Sequence, residues 1–345
     1  MVSLAWWLLV AAGWAAYFWW PSKVPIEAVK AQYWFQSVAV INGPDSSRIQ
    51  STPAPGSEER LMADVNALAF PRWTQTERKR ARAYLAHRLT NMGYTPSFHA
   101  YSEGINVVVD IPGTAEHLGA LLVGAHYDTV QRSPGADDNA SGVAAVLEIG
   151  RRLRHHGSQR DVILVFFDGE ERGLEGSRAY MAGPGRTRKL HGAVILEMLG
   201  YACETAGCQR TTEGMPRHLV PNHGQFLAVV GNLSGRKFLL DWRSMKLPKP
   251  FEVVIIPVLE HGWPVPDSRR SDHAAFWAQN IDAVMLTDTA NFRNPHYHET
   301  SDKPATLSPE FLASNTEYAW QVVKRMIRAS PIPSQPAPAD VVPDQ

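Results

Sequence analysis

The sequence lacks the short motifs that mark several common hydrolases. It has no G-x-S-x-G nucleophile elbow, no H-E-x-x-H helix and no Walker phosphate loop. Cysteine is scarce, because Cys203 and Cys208 are the only two in 345 residues, and their spacing does not fit a structural zinc knuckle. The two lie in one loop, so we expect a disulfide if the body faces an oxidising compartment and two reduced thiols if it does not.

An excess of charge of one sign is also missing. Lys plus Arg and Asp plus Glu number 34 each, which excludes a surface-wide field that attracts nucleic acid or anionic lipid. We therefore expect no nucleic-acid partner. With 44% hydrophobic and 10% aromatic residues, the composition is that of a globular protein with a sizeable core.

One long apolar run stands near the start of the sequence. Residues 4–20 carry no charged side chain, and these 17 residues lie near the lower limit of the roughly 17 to 25 that span a bilayer. Tryptophans cluster toward both ends of the run, as suits the two membrane interfaces. Residues 1–22 are therefore predicted to form the transmembrane anchor of a single-pass membrane protein. The alternative is a cleaved signal peptide, although the run has neither a basic residue before it nor a small-residue cleavage site after it.

The remainder divides by composition. Residues 23–59 are predicted to be a linker, residues 60–330 the folded body, and residues 331–345 a disordered Pro-rich tail. Lys23 and Lys30 follow the apolar run, and by the positive-inside rule they favour a cytoplasmic body.

Helical and strand-like segments alternate in the body. Residues 74–93, 142–156 and 308–326 have helical patterns, and short runs rich in Val, Ile and Leu stand between them. This order predicts an α/β fold with a predominantly parallel mixed sheet flanked by helices. Ligands of such sheets bind beyond the carboxyl ends of the strands. The predicted strands lie in the segments INVVVDIPG, GALLVGAHYD, DVILVFFDGE, GAVILEMLG, FLAVVGN and IDAVMLTDTA.

The ends of these runs carry side chains of the types that bind metals. Each alone has a structural explanation, such as a helix cap, a buried histidine, or a glutamate that faces solvent or pairs with a core arginine. Their coincidence at successive strand ends favours a metal site instead. One imidazole and one carboxylate for each ion, with a further carboxylate shared, suit two Zn(II) ions that polarise a carbonyl and activate water. These residues are His126, Asp128, Asp137, Asp138, Glu170, Glu171, Glu197, His296 and His298.

Five motifs resemble, in order and spacing, those of the M28 family of zinc peptidases. The resemblance covers about residues 60–328, and it implies a zinc-aminopeptidase-like three-layer sandwich with two Zn(2+) ions per chain. The motifs are GAHYDT, PGADDNASG, FFDGEE, SDHAAFW and NPHYHETSDKPATL.

The resemblance also implies a role for each ligand-type residue. His126 and Glu197 would bind one ion, Glu171 and His298 would bind the other, and Asp138 would bridge the two. The first-ion carboxylate is more often Asp than Glu in this family, so Glu197 departs from the common pattern by one methylene group.

Further roles follow from the same resemblance. Glu170 would be the general base, and Asp128 would orient the imidazole of His126, as metal-bound imidazoles generally require. Asp137 would be a cap and not a ligand, and the peptide bond after Asp138 would be cis. His273 in SDHAAFW is a candidate for substrate binding, with a histidine in a helix-capping turn as the equal alternative.

The resemblance implies a membrane-anchored, zinc-dependent exopeptidase, an aminopeptidase that acts on peptide substrates. Its catalytic domain would be periplasmic or extracellular. A glutaminyl cyclase, which uses the same fold with one catalytic zinc, is an alternative from the same fold, and a non-catalytic peptidase-like binding ectodomain is another. The complete set of ligand types favours the peptidase. The walls of the pocket are expected to come from residues 202–224 and 258–270.

Overall fold

The computed structural model describes residues 49–50, 52–115, 118–183, 189–213, 215, 217–232, 238–239, 245–246 and 251–328. The predicted anchor, Lys23 and Lys30, and the predicted tail lie outside these ranges. Within them, no helix combines the length and the apolarity that crossing a bilayer requires.

The strands of the described chain run from residue 49 to residue 287. They are β1 Ile49–Gln50, β2 Ser97–Tyr101, β3 Gly104–Ile111, β4 Ala120–His126, β5 Val162–Phe167, β6 Leu190–Glu197, β7 Phe226–Asn232, β8 Met245–Lys246, β9 Glu252–Val258 and β10 Ala283–Thr287. The α-helices there are α1 Ser57–Leu68, α2 Gln75–Asn91, α3 Gly142–His156, α4 Glu175–Ala182, α5 His273–Trp277 and α6 Pro309–Met326.

An eight-stranded mixed sheet forms the centre, in the order β2-β3-β5-β4-β6-β10-β7-β9. Its four middle strands β5, β4, β6 and β10 are parallel to one another. β2 and β3 add antiparallel strands at one edge, and β7 pairs antiparallel with β10 at the other. The predicted mixed sheet is confirmed, with its parallel pairing concentrated at the centre.

The two longest helices begin at sequence-encoded caps. Thr74 precedes α2, where its hydroxyl accepts from the Glu77 N–H at 3.3 Å and the Glu77 carboxylate accepts from the Thr74 N–H at 2.7 Å. This reciprocal pair satisfies two N–H groups that the first turn leaves unbonded. Ser308 caps α6 by accepting from the Phe311 N–H, and Pro309 supplies the first helical position.

Two apolar layers enclose the sheet, one on each face. Alternation along β4 shows how the strands feed both, because Leu121 and Val123 enter one layer while Ala120 and Leu122 enter the other. Helices α1, α2, α3 and α6 cover the first layer, and α4 and α5 with nearby loops cover the second. This arrangement buries the middle strands on both faces and leaves their carboxyl ends at one edge, where the candidate site lies.

Candidate metal centre

Two clusters of metal-ligand side chains meet at the carboxyl edge of the middle strands. In the first, the His126 Nε2 lies 3.3 Å from the Asp138 Oδ1 and 3.3 Å from the Glu197 Oε1. His126 is the last residue of β4 and Glu197 the last of β6, so adjacent parallel strands deliver both side chains to the same place. All three residues are buried.

The second cluster shares Asp138 with the first. The His298 Nε2 lies 3.3 Å from the Asp138 Oδ2 and 3.1 Å from the Glu171 Oε2. One carboxylate thus offers a different oxygen to each cluster, which is the arrangement expected of a bridging ligand. His298 has a φ of 62°, a left-handed conformation uncommon for residues other than glycine.

Asp138 is held by an irregular turn, Ala136–Ser141, that leads into α3. The peptide bond between Asp138 and Asn139 is cis, as the family resemblance implies. The Asp302 carboxylate accepts from the N–H groups of Asp137 and Asp138 at 2.9 and 3.1 Å. These bonds fix the backbone that carries the shared ligand.

Asn139 joins this turn to β6. Its side-chain oxygen accepts from the N–H groups of Gly142 and Met198, and its amide donates to the carbonyl of Leu196. A Cβ at position 142 would collide with the Asn139 amide and the Leu196 carbonyl, so only glycine lets α3 begin here. The close approach keeps Asp138 and Glu197 on adjoining segments in register.

Asp137 faces away from both clusters. Its carboxylate accepts from the Gly200 N–H at 2.9 Å and from the Asn294 side chain at 2.7 Å. It therefore lies outside the ligand clusters, as the resemblance implies, but it braces two loops and does not cap the helix as expected. His296 is half-buried, with its Nδ1 2.9 Å from the Ser301 hydroxyl, and also lies outside them.

Asp128 contacts the imidazole of His126 and the main chain of the two adjacent glutamates. One of its oxygens lies 3.5 Å from the His126 Nδ1, the ring nitrogen that faces away from the cluster. The same carboxylate accepts from the Glu170 N–H at 3.0 Å and from the Glu171 N–H at 3.2 Å. Asp128 thus lies against the imidazole of His126 and fixes the main chain of the turn that presents the two glutamates.

Burial and crowding disfavour the charged forms of the two adjacent glutamates, Glu170 and Glu171. Burial and the neighbouring Asp138 carboxylate raise the pKa of Glu171 to about 7, against the opposing effects of His298 and His126. Burial also raises the pKa of Glu170 well above its ordinary value, against His126 and with the help of Glu197. The Glu171 Oε1 is buried and accepts no hydrogen bond from the described residues.

These donor sets fit divalent zinc. Each holds one imidazole and two carboxylates, and the donor atoms of each lie within 4.8 Å of one another. A bound cation would neutralise the crowded carboxylates and occupy the unbonded Glu171 oxygen. His126, Asp138 and Glu197 would hold one ion, and Asp138, Glu171 and His298 the other.

His273 lies away from the place that the substrate-binding hypothesis requires. It is fully buried, its Nε2 lies 2.7 Å from the Ser268 carbonyl, and its ring stacks edge-on against Trp277. Burial lowers its pKa to about 4. This placement supports the helix-turn alternative, because the side chain contacts the protein interior and does not line the cleft.

Sequence reasoning missed Ser271, which lies in the same motif. Its hydroxyl donates to the Glu197 Oε2 at 2.6 Å, so it fixes the carboxylate that departs from the common family pattern. Tyr297 was also missed, and its ring stacks on the His298 imidazole with centroids 3.7 Å apart. The available signal was position in the sequence, because Tyr297 is next to His298 and Ser271 is two residues before His273.

A cleft that is open to solvent lies beside the clusters. Asp138, Glu170, Glu171 and Glu197 line its metal end. We call its apolar side the inner wall, formed by Met215, Val220, Phe226, Ala228, Val230, Ile256, Val265 and Met285. The two loops predicted to form the pocket walls do so, with residues 209–212, 215 and 220 from the first and residues 265, 267, 268 and 270 from the second.

Cys203 and Cys208 form a disulfide in the first of these loops. Cys203 also pairs with Gly224 through main-chain hydrogen bonds of 3.2 and 2.7 Å. The bridge and this pairing tie together the loop that carries the cleft residues Gln209 and Arg210.

The sequence and the fold are similar to those of known proteins. Residues 106–232 match the family described as Peptidase family M28. The protein YfbL of Escherichia coli (strain K12), described as uncharacterized, is 30% identical over 290 residues, which cover 77% of this chain and 87% of YfbL.

Two solved structures show the same fold at low identity. The LapA aminopeptidase of Legionella pneumophila superposes with a TM-score of 0.62 at 18% identity, covering 85% of this chain and 80% of LapA. A glutaminyl cyclase of Bacteroides thetaiotaomicron superposes with a TM-score of 0.57 at 14% identity, covering 79% of this chain and 99% of the cyclase. Both an aminopeptidase and a cyclase therefore use this architecture.

Proposed function

Because the chain belongs to peptidase family M28, and is thereby a metallopeptidase, we propose that it is a membrane-anchored, zinc-dependent exopeptidase that removes N-terminal residues from peptides. The observation that carries the proposal is the pair of ligand clusters that share Asp138, with the Glu170 carboxyl group lining the same cleft. The aminopeptidase polarity rests on the five motifs, since likeness to LapA concerns the fold alone.

Two zinc ions at these clusters would polarise the scissile carbonyl and lower the pKa of water. The remaining work falls to side chains of this chain. Glu170 lines the cleft, and its N–H donates to Asp128, so the main chain that carries this side chain is held in place. We assign it the general base that takes a proton from the attacking water and passes it to the leaving amine as the C–N bond breaks.

Asp128 is a positioning residue in this proposal. Its contacts with the His126 ring and with both glutamate N–H groups hold a ligand, a second ligand and the base in one arrangement. Such preorganisation matters because a misplacement of the base by about 1 Å costs turnover.

The membrane attachment is the part of the proposal that rests on sequence. The apolar run of residues 4–20 supports an anchor, and the family resemblance supports a body outside the cytoplasm. Lys23 and Lys30 favour the opposite orientation.

One experiment separates this function from its alternatives. The purified protein is incubated with a panel of unblocked peptides, including one that begins with Gln, with zinc and with a chelator. A peptidase releases free amino acid only with zinc. A glutaminyl cyclase lowers the mass of the Gln peptide by that of ammonia and releases no amino acid. A binding ectodomain changes none of the peptides, and that result would refute the proposal.

The cyclase remains the second candidate because a glutaminyl cyclase superposes on most of this chain. Two complete clusters favour the peptidase, since one catalytic zinc serves the cyclase reaction.

A further inference from the structure

Two arginines line the cleft that contains the metal ligands. We call Arg210 and Arg270 the arginine rim, to distinguish them from the apolar inner wall. Apart from the acidic residues at the metal end, Asp267 is the carboxylate that lines this cleft. The rim therefore carries more positive than negative charge, and the proposed mechanism does not use it.

Arg270 is held in position without being neutralised. Its Nη1 donates to the Asn291 side-chain oxygen at 2.9 Å, and its Nη2 donates to the Tyr297 hydroxyl at 3.0 Å. The nearest Asp267 oxygen is 3.6 Å away, and this pair is 43% and 37% exposed. An ion pair this exposed contributes little to stability, so the Arg270 guanidinium keeps most of its capacity to attract a ligand anion.

Arg210 is tied to the same residue. Its Nη2 donates to the main-chain carbonyl of Asn291, and its own N–H donates to the Phe292 carbonyl at 2.7 Å. The two guanidinium groups are thus anchored to opposite parts of Asn291. A guanidinium has five N–H donors in a planar fork, so these bonds leave donors for a ligand.

The rim lies a short peptide's length from the metal ligands. The Arg270 guanidinium is 5.7 Å from the Tyr297 ring, which is 3.7 Å from the His298 ring. Arg270 is therefore within about 10 Å of a metal ligand, the span of roughly three extended residues or fewer. Its neighbour Ser271 bonds to Glu197 of the other cluster, which confirms the proximity.

We propose that Arg270, assisted by Arg210, binds the free C-terminal carboxylate of a short peptide, so that the preferred substrates are dipeptides and tripeptides with an apolar N-terminal residue. This inference rests on the proposed aminopeptidase function. Guanidinium forks match carboxylates in charge and geometry, and their paired hydrogen bonds are among the strongest in proteins.

The inner wall decides which carboxylate meets the rim. An acidic N-terminal side chain on that wall would be buried against Phe226, Val230 and Ile256 without a partner, which is costly. An apolar side chain gains free energy there. The N-terminal side chain is thus assigned to the inner wall, and the carboxylate at the rim is the peptide's own C-terminus.

The test compares matched substrates that differ only in this carboxylate. The zinc-loaded full-length protein in detergent is assayed with Leu-Ala and with Leu-Ala amide. We expect kcat/KM to be about 10- to 100-fold higher for the free acid, the usual range for a charge-assisted interaction. The preference should shrink for Leu-Ala-Ala-Ala-Ala, whose C-terminus lies too far from the scissile bond.

Variants assign the preference to Arg270. Arg270→Gln should lower kcat/KM for Leu-Ala by about 10- to 100-fold and bring the acid-to-amide ratio close to one, while Arg270→Lys should keep part of the ratio. Arg269→Gln is the matched control, because Arg269 stacks 4.0 Å from Trp263 and does not line the cleft. It should keep the wild-type ratio.

The contrary outcomes are distinct. A wild-type protein that cleaves acid and amide equally overturns the inference and leaves the aminopeptidase function standing. An equal loss on both substrates in Arg270→Gln shows that Arg270 acts only through Tyr297, which also overturns it. Glu-Ala amide and Gln-Ala amide differ only in the carboxylate of the N-terminal side chain. If Arg270→Gln changes the ratio of kcat/KM between these two substrates and leaves the Leu-Ala acid-to-amide ratio unchanged, Arg270 binds the N-terminal side chain, and the C-terminal assignment is refuted. Failure of the wild type to cleave any of these substrates refutes the proposed function and this inference together.

Discussion

Glu170 and Glu171 are adjacent, and the turn after β5 sends their carboxylates to different surroundings. Glu171 reaches 3.1 Å from the His298 Nε2, within a ligand cluster, whereas Glu170 lines the cleft outside both clusters. The Asp128 carboxylate holds the two N–H groups and so fixes this divergence. Adjacent residues of the same type can therefore perform different work.

Glu170→Gln should keep the zinc and lose turnover. The amide preserves the shape of the side chain and removes the base, so we expect kcat to fall by about 100- to 10,000-fold with unchanged metal content. Glu171→Gln should lose metal affinity as well as activity, because a carboxylate is exchanged for a neutral ligand. Zinc is measured by atomic spectroscopy after dialysis, beside turnover of the same samples. If Glu170→Gln loses zinc while Glu171→Gln keeps it, the two roles must be exchanged.

Glu197→Ala should empty one metal site and leave the other filled. Glu197 belongs only to the first cluster, so zinc should fall from about two ions per chain to about one, with a steep loss of activity. Wild-type zinc content and activity in this variant would show that Glu197 is structural.

Ser271→Ala is the graded companion to that variant. It removes the 2.6 Å hydrogen bond that orients Glu197 and leaves every ligand in place. Loss of such a bond typically weakens metal affinity about 10- to 100-fold, which a competition titration with a chelating dye measures. An affinity equal to that of the wild type would mean that Glu197 needs no such support.

At the scale of elements, the sequence predicted the strands whose apolar runs are continuous. All six predicted strands exist, because β3 to β7 and β10 are largely buried and read as runs of Val, Ile and Leu. β2 was not predicted, since SFHAY is a short, exposed edge strand without such a run. β9 was missed although EVVIIPV contains one, because no polar ligand follows it and the search was led by the strand ends.

The candidate site divides in the same way. Strand ends and motif spacing predicted the ligand set, but tertiary contacts decide how each side chain is used. His273 and Ser271 stand in one motif, and only the packing of α5 shows that the histidine points inward while the serine reaches Glu197. The arginine rim could not be predicted, because two separate loops meet at Asn291 to form it.

Three helices are joined by one buried ionic cluster. Glu148 of α3 is 3% exposed and accepts from Arg60 of α1 at 3.0 Å and from Arg151 at 2.7 Å. Arg152 bonds to Glu148 at 3.0 Å and to Glu317 of α6 at 2.5 Å. Burial would raise the pKa of Glu148, but hydrogen bonds from Arg151, Arg60 and Arg152 lower it to about 2.

Glu148→Gln should therefore destabilise the fold in a pH-dependent way. The pKa falls from 4.5 to about 2 on folding, which corresponds to about 3 kcal/mol. Because the folded pKa is the lower one, this stabilisation is present above about pH 4.5 and is lost as pH falls toward 2. Urea unfolding followed by tryptophan fluorescence should show a gap of about 3 kcal/mol between wild type and variant at pH 7, shrinking below pH 4.5.

Glu252→Gln is the matched control, because Glu252 is exposed at the start of β9. It should unfold like the wild type at every pH. A gap between wild type and Glu148→Gln that stays constant from pH 7 to pH 3 would show that the loss comes from packing and not from the charge.

At the scale of the whole molecule, the parallel centre of the sheet brings distant residues together. His126 and Glu197 are the last residues of β4 and β6, and the Glu170 turn follows β5. These three strands lie side by side, so the spacing of the residues is set by the sheet and not by loop length. The antiparallel extension through β7 and the parallel β9 supplies the inner wall on the same side. In the proposed function, the parallel strands β4, β5 and β6 thus carry or precede metal ligands and the base, and strands β7 and β9 help to form the wall that selects the substrate.

The remaining prediction concerns how this body is attached. Residues 4–20 form an uncharged run of about the length that spans a bilayer, so the full-length protein should sediment with membranes and resist extraction by alkaline carbonate. A version that starts at residue 30 should stay in the soluble fraction, because it lacks this apolar run. Sedimentation and N-terminal sequencing of both proteins provide the measurement. Full-length protein with an intact N-terminus in the soluble fraction would disprove the anchor, and a mature N-terminus near residue 20 would identify the run as a signal peptide, because cleavage there removes the apolar run.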